Sequence, residues 1–238
     1  MSRDQLSVNK FIFAQILWFC ASCNYKCEGI FHGKIQKSQH VLLLFSMNAM
    51  LKKTMSNIAT VMIFPLYLLY ILTSIVSQNN SIAGYSQLLS LVPGKFGSYC
   101  RVAFYRLTMT VCNYDSVIGF ATIFSQKDTE IGKGVYIGPQ CNIGMCNIGD
   151  DCLIASGVHI MSGSQQHNFD DLDAPIQQQG GSYTKIVIGE DSWIGNGSLV
   201  MANIGRKCII GAGSVVTKDV ADFSIMAGNP AKLIKMRQ

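Results

Sequence analysis

An aliphatic residue returns every six positions along the C-terminal half of this chain. Ile131-Gly132, Ile137-Gly138 and Ile143-Gly144 are six apart, and Ile148-Gly149, Ile154-Ala155 and Ile160 resume the step after a one-residue contraction. Ile188-Gly189, Ile194-Gly195 and Val200 follow, then Ile204-Gly205, Ile210-Gly211 and Val216. Four residues after most of these aliphatics stands a small or β-branched side chain: Val135, Cys141, Cys152, Val158, Ser192, Ser198, Cys208 and Ser214. A period of six with two inward positions fits neither an α-helix nor an alternating hairpin. It is the period of a parallel β-helix, in which each hexapeptide forms one short side and three sides close a triangular coil. The aliphatic residue fills the prism, β-branched Ile and Val suit stacked strands, and the glycine takes a crowded corner. The expected fold class is therefore mainly β, a parallel β-helix over residues 118–220 followed by a tail, 221–238.

The ladder breaks once, between Ile160 and Ile186, at the polar insert MSGSQQHNFDDLDAPIQQQGGSYTK, residues 161–185. A solenoid accepts such an insert as a loop on one face, often the binding face. The loop holds His167 beside Asn168, Phe169, Asp170 and Asp171. An imidazole titrates near neutral pH and can take a proton from a hydroxyl nucleophile. A histidine alone in a loop is more often surface decoration, so its position in the long break is what singles it out.

Upstream, the composition changes. Residues 58–76 run IATVMIFPLYLLYILTSIV without a charge, just long enough to span a bilayer as a helix, with Pro65 interrupting. Lys52 and Lys53 precede it and would place its N-terminal end in the cytoplasm. The expectation is a membrane-associating helix over 47–80, lying in or dipping into one leaflet; a buried packing helix is the alternative. Residues 81–117, with Lys95, Arg101 and Arg106 among aromatics, read as an amphipathic helical cap over the first open coil, able to touch anionic lipid. Residues 1–46 have no clear period and read as an irregular, dispensable extension. Cys20, Cys23 and Cys27 with His32 and His40 have spacings that match zinc modules poorly. Phe11–Cys23 resembles a short signal core.

The net charge of +5 favours anionic ligands without demanding nucleic acid, since no run of Lys and Arg interleaves with aromatics. Nine cysteines, an odd number, favour reduced thiols in a cytoplasmic compartment, and Cys141, Cys152 and Cys208 occupy the small inward positions as small hydrophobes.

The repeats, the SGSQQHNFDDLDAPI loop, the IGEDSWIGNGSLVMA and IGAGSVVTKDV segments and the closing AGNPAKLIK together resemble the hexapeptide-repeat acyltransferases. The chain is most similar to the branch of maltose, galactoside and xenobiotic acetyltransferases and polysaccharide O-acetyltransferases. The resemblance implies a left-handed β-helix, acetyl-CoA as co-substrate, a homotrimer with clefts between prisms, and His167 as catalytic base. It places CoA contacts at Asn196, Ala212, Thr217, Lys218, Lys232 and Lys235, and acceptor contacts at Asn142 and Asp170. Lysine at the tail positions keeps the charge of the family's usual arginine but not its bidentate geometry. Met201-Ala202-Asn203 leaves one repeat two residues short, a contraction the xenobiotic-type branch tolerates. A CoA-dependent enzyme belongs in the cytoplasm, which argues against export and for a peripheral position on the inner face of the membrane.

The implied reaction is transfer of acetyl to a hydroxyl of a surface or lipid-linked saccharide. N-acylation of a nucleotide-linked amino sugar and a non-catalytic scaffold are the alternatives. A zinc carbonic anhydrase on this fold needs three converging histidines, and only His159 and His167 lie in the helix region, so no metal is expected.

Overall fold

The computed structural model describes residues 30–76 and 81–237, with side chains from Met50 onward. The upstream Cys/His group, the signal-like stretch and the dispensability of residues 1–46 lie outside the described side chains. Two compact units divide at Met50. In the first, residues 30–49 are helical; the second holds everything discussed below.

The helices are α1 (Ile30–Val76), α2 (Ser81–Ser90) and α3 (Gly94–Thr108). The helix α1 continues through Pro65. Short parallel strands then stack into a left-handed β-helix of about six turns. The first face consists of β1 (Val111–Cys112), β4 (Glu130–Ile131), β7 (Cys146–Ile148) and β10 (Ile186–Ile188). The second runs through β2 (Val117–Ile118), β5 (Tyr136–Ile137), β8 (Leu153–Ile154), β11 (Trp193–Ile194) and β13 (Ile209–Ile210). It ends on β15 (Ser224–Ala227) and β16 (Lys232–Met236). The third comprises β3 (Ile123–Phe124), β6 (Asn142–Ile143), β9 (His159–Ile160), β12 (Leu199–Val200) and β14 (Val215–Val216).

The register makes the repeat physical. Ile118, Ile137, Ile154, Ile194 and Ile210 lie directly above one another on the second face. Each is fully buried or nearly so, and burying one such side chain contributes roughly 1.5–3 kcal/mol. The second inward position of each hexapeptide does more than fill space. Ser192 and Ser198 donate to the carbonyls of Gly205 and Gly211 on the next coil. The thiols of Cys141, Cys152 and Cys208 stand 3.1 Å from the equivalent carbonyls of Ala155, Gly189 and Ala221. These cysteines thus act as weak donors within the stack, beyond their role as small hydrophobes. Burial pushes all three thiols up from their ordinary pKa, Cys152 to about 11.

The coils begin and end beyond the sequence boundaries. Strand β1 pairs with β4, so the first coil starts at Val111, inside the stretch read as cap. The segment read as tail continues the solenoid: β15 lies parallel on β13, and β16 folds back antiparallel on β15. At the start, the two-residue β1 needs little sequence pattern, and at the end β16 joins by antiparallel backbone pairing, so neither follows the six-residue ladder.

Helices α2 and α3 close the open first coil. Arg101, with no exposed surface, donates to the carbonyls of Leu89 and Val92 at the end of α2 and to that of Ile118 in the first coil. One guanidinium therefore ties cap to prism.

Candidate functional site

The 161–185 loop leaves the corner between the third and first faces and is fixed at several points. The amide of Thr184 donates to the Ser162 carbonyl and closes its base at 2.9 Å. Higher up, the Ser182 amide donates to Gln165 at 2.8 Å and the Asn168 amide to Gly180 at 3.0 Å, so the segment carrying His167 is paired on both sides. The Gln179 amide group donates to the carbonyls of Asp171 and Ala174 and accepts from the Asp171 amide. Lys185, where the loop rejoins the ladder, sits 2.5 Å from Asp128 and 3.0 Å from Glu130. The hydrogen bond between Lys185 and Asp128, reinforced by charge, holds the Asp128 carboxyl below and the Lys185 ammonium above their ordinary pKa values. A long polar insert here has a defined path, and His167 stands exposed on it.

Beside the loop, the third face carries a groove of about 390 Å³ lined by Ser125, Asn142, His159, Met161, Gln166 and Leu199 among others. Asn142 and His159 face outward from successive coils in direct parallel register. Gln166, the residue before His167, reaches the same groove. A second hollow, about 240 Å³, lies along the corner between the third and first faces and includes Gln165, Thr184, Asn203, Thr217 and Lys218.

The remaining sequence candidates scatter around the prism. Asn196 and Ala212 occupy the corner between the second and third faces, exposed, where the Asn196 carbonyl accepts from the Gly213 amide. Gly157, Gly197 and Gly213 form a column at this corner with positive φ of 67°, 66° and 66°. A β-carbon at Gly197 or Gly213 would meet nothing within 4 Å, leaving a side-chain-free track of backbone. Lys232 and Lys235 lie exposed on β16 at the edge of the second face, away from Lys218 at the opposite corner. The three lysines do not converge within one chain. Asp170 is exposed on the loop and lines neither hollow.

Sequence reasoning missed Gln166, the Gln179 brace and the Lys185–Asp128–Glu130 clasp. The phase of the ladder held one available signal: Asn142 and His159 each precede an inward isoleucine, which places both on the outside of the same face.

Residues 129–162 and 185–218 match the family model described as the hexapeptide repeat of succinyl-transferase. A chloramphenicol acetyltransferase of Klebsiella aerogenes is 40% identical over 111 residues, covering 38% of this chain and 50% of that protein. A galactoside O-acetyltransferase of Lactococcus lactis is 33% identical over 118 residues, covering 47% of this chain and 54% of that protein. The chain thus spans about half the length of these curated relatives. A hexapeptide-repeat-containing acetyltransferase of Vibrio cholerae, crystallised with acetyl coenzyme A, superposes with a TM-score of 0.58 at 21% identity, over 69% of this chain and 90% of that one. On its repeat and coil geometry, the chain is a hexapeptide-repeat left-handed β-helix, similar over about half their length to these curated acetyltransferases.

Proposed function

We propose that this chain is an acetyl-CoA-dependent O-acetyltransferase acting on a saccharide hydroxyl, with His167 as general base. The observation that carries the reading is the braced 161–185 loop: His167 is exposed on it and lines neither hollow itself, while its chain neighbour Gln166 lines the outward groove of Asn142 and His159. The imidazole accepts the acceptor hydroxyl proton as that oxygen attacks the thioester carbonyl. The carbon–sulfur bond breaks, and the leaving thiolate recovers the proton from the imidazolium. Positioned proton transfer of this kind contributes about 10²–10⁴ in rate.

The residues present suit the co-substrate. The open glycine corner beside Asn196 and Ala212 admits close approach of a pantetheine arm to backbone, and Thr217 with Lys218 offers a hydroxyl and a cation at the hollow by the loop base. Lys218 and the pair Lys232 and Lys235 supply charge for phosphates from opposite sides of a prism, an arrangement suited to a seam between copies. A homotrimer draws support from the second face, where Val117, Tyr136, Leu153, Trp193, Ile209 and Ile225 stack as an outward apolar stripe. Tyr136, Leu153 and Trp193 in it are 41%, 45% and 48% exposed.

The relatives named as acting on chloramphenicol and on galactosides span antibiotic and sugar hydroxyls. The polar lining of the groove, Asn142, His159 and Gln166, favours a hydroxyl-rich acceptor. Incubation with isotope-labelled acetyl-CoA and a panel of saccharides, nucleotide-linked amino sugars and chloramphenicol, read by mass spectrometry, tests this. Ester-linked label on a saccharide is expected; label confined to amines, or none with any acceptor, contradicts the reading.

A further inference from the structure

From Ile58 to Ile75, the helix α1 is inside out relative to a helix that faces water. Every exposed side chain in this stretch is apolar: Ile58, Val61, Met62, Phe64, Pro65, Leu68, Leu69, Ile71, Leu72 and Ile75. The hydroxyl-bearing side chains turn toward the protein. Arg106 donates to Ser56 and Thr60, Thr73 pairs with the Tyr85 hydroxyl at 3.1 Å, and Tyr70 meets Tyr85 and Phe104 edge to face. The turn between α2 and α3 and its flanking helix ends expose Leu88, Leu91 and Phe96 next to Lys95. Residues 50–114 hold Lys52, Lys53, Lys95, Arg101 and Arg106 and no Asp or Glu.

We propose that the Met50–Ile75 part of α1 lies in the plane of an anionic phospholipid surface, its outer side sunk among acyl chains, with the α2–α3 turn as a second point of contact. Apolar side chains on the outer face supply the insertion energy, and a carboxylate-free surface with exposed Lys53 and Lys95 supplies the attraction to acidic headgroups. A second copy of the same surface would meet it with like charge, so lipid is the better-matched occupant.

The apolar segment Met50–Ile75, at about 1.5 Å per residue, is long enough to cross a bilayer. Its packing forbids that course. Near its start Lys52 donates to the Asp115 carbonyl, further along Ser56 and Thr60 hold Arg106, and near its end Thr73 and Ser74 bond Tyr85 and Ser81. A crossing helix would drag these polar partners through hydrocarbon or break their bonds. One side stays on the protein along the whole length, and only the other meets lipid.

The test uses the full-length chain and vesicles of phosphatidylcholine with or without phosphatidylglycerol, separated by flotation. Binding is expected with phosphatidylglycerol and is weakened by salt. Leu68→Glu with Leu72→Glu reduces it about tenfold or more. Depth is read separately in Val61→Trp, Leu68→Trp and Ile75→Trp, which lie on one side of the helix seven residues apart, using lipids spin-labelled at shallow and deep positions and the parent chain as reference. Equal, shallow depths support the in-plane course. Depths that change by about 10 Å from one site to the next would establish a crossing and overturn it. Failure to float, or discrete dimers without lipid that the glutamate variant disperses, would overturn the choice of lipid.

Discussion

The α-carbon of Gly181 packs so closely on Gln166 that a β-carbon there would lie 2.0 Å from the Gln166 carbonyl oxygen and 2.8 Å from the His167 amide. Both atoms are backbone, so neither can swing aside. Gly181→Ala must therefore push the His167 segment away from its partner strand. The expected outcome is a fall in kcat of about 10-fold or more with little change in Tm, because a misplacement near 1 Å can cost about 10²-fold in rate while the loop adds little to the core. Steady-state kinetics beside a thermal melt checks it.

Among the described residues Arg101 has no carboxylate partner, and it directs its donors to three carbonyls at the junction of cap and first coil. Arg101→Met keeps most of the volume but strips the Ile118 and Val92 carbonyls of this donor, while Leu89 keeps its bond from the Val92 amide, at about 1–3 kcal/mol for each carbonyl that water cannot reach. Urea unfolding should show a loss of several kcal/mol.

Alkaline pH should weaken the fold through its thiols. Burial pushes Cys112 and Cys146 up to about 12 and Cys152 to about 11, from an ordinary 9.0. Above pH 9 the unfolded chain therefore sheds protons that the folded chain keeps. The stability these groups contribute is complete below that pH and drains as pH rises toward 11–12. Melts under reductant should be level from about pH 7 to 8.5 and then decline, with a shallower decline in Cys146→Ala.

Asn142 and His159 share one groove, whereas the open glycine corner and Lys218 lie to either side of it. Asn142→Ala should raise KM for the acceptor about 5–10-fold, as loss of one hydrogen bond to a bound hydroxyl would, and leave KM for acetyl-CoA unchanged. Kinetics varying each substrate in turn separates the two.

The prism was legible because its rule is local: an inward aliphatic every six residues dictates coil, register and corner. Its ends were not, since β1 and β16 join the solenoid through backbone pairing that no ladder residue announces. In the site, His167 stood out as the histidine in the long break, but its bracing depends on Gln179 and on backbone contacts to Gly180 and Ser182, over ten residues away in sequence. The dispersal of Lys218, Lys232 and Lys235 follows from which corner each reaches, a matter of coil geometry invisible in a list of cations.

Removal of the acceptor proton by the loop imidazole during acetyl transfer is tested most directly by His167→Ala, assayed for CoA thiol release with a working acceptor alongside calorimetric binding of CoA. The expected result is intact CoA binding with turnover reduced about 10²–10⁴-fold. Turnover within a few-fold of the unaltered chain would remove His167 from the reaction.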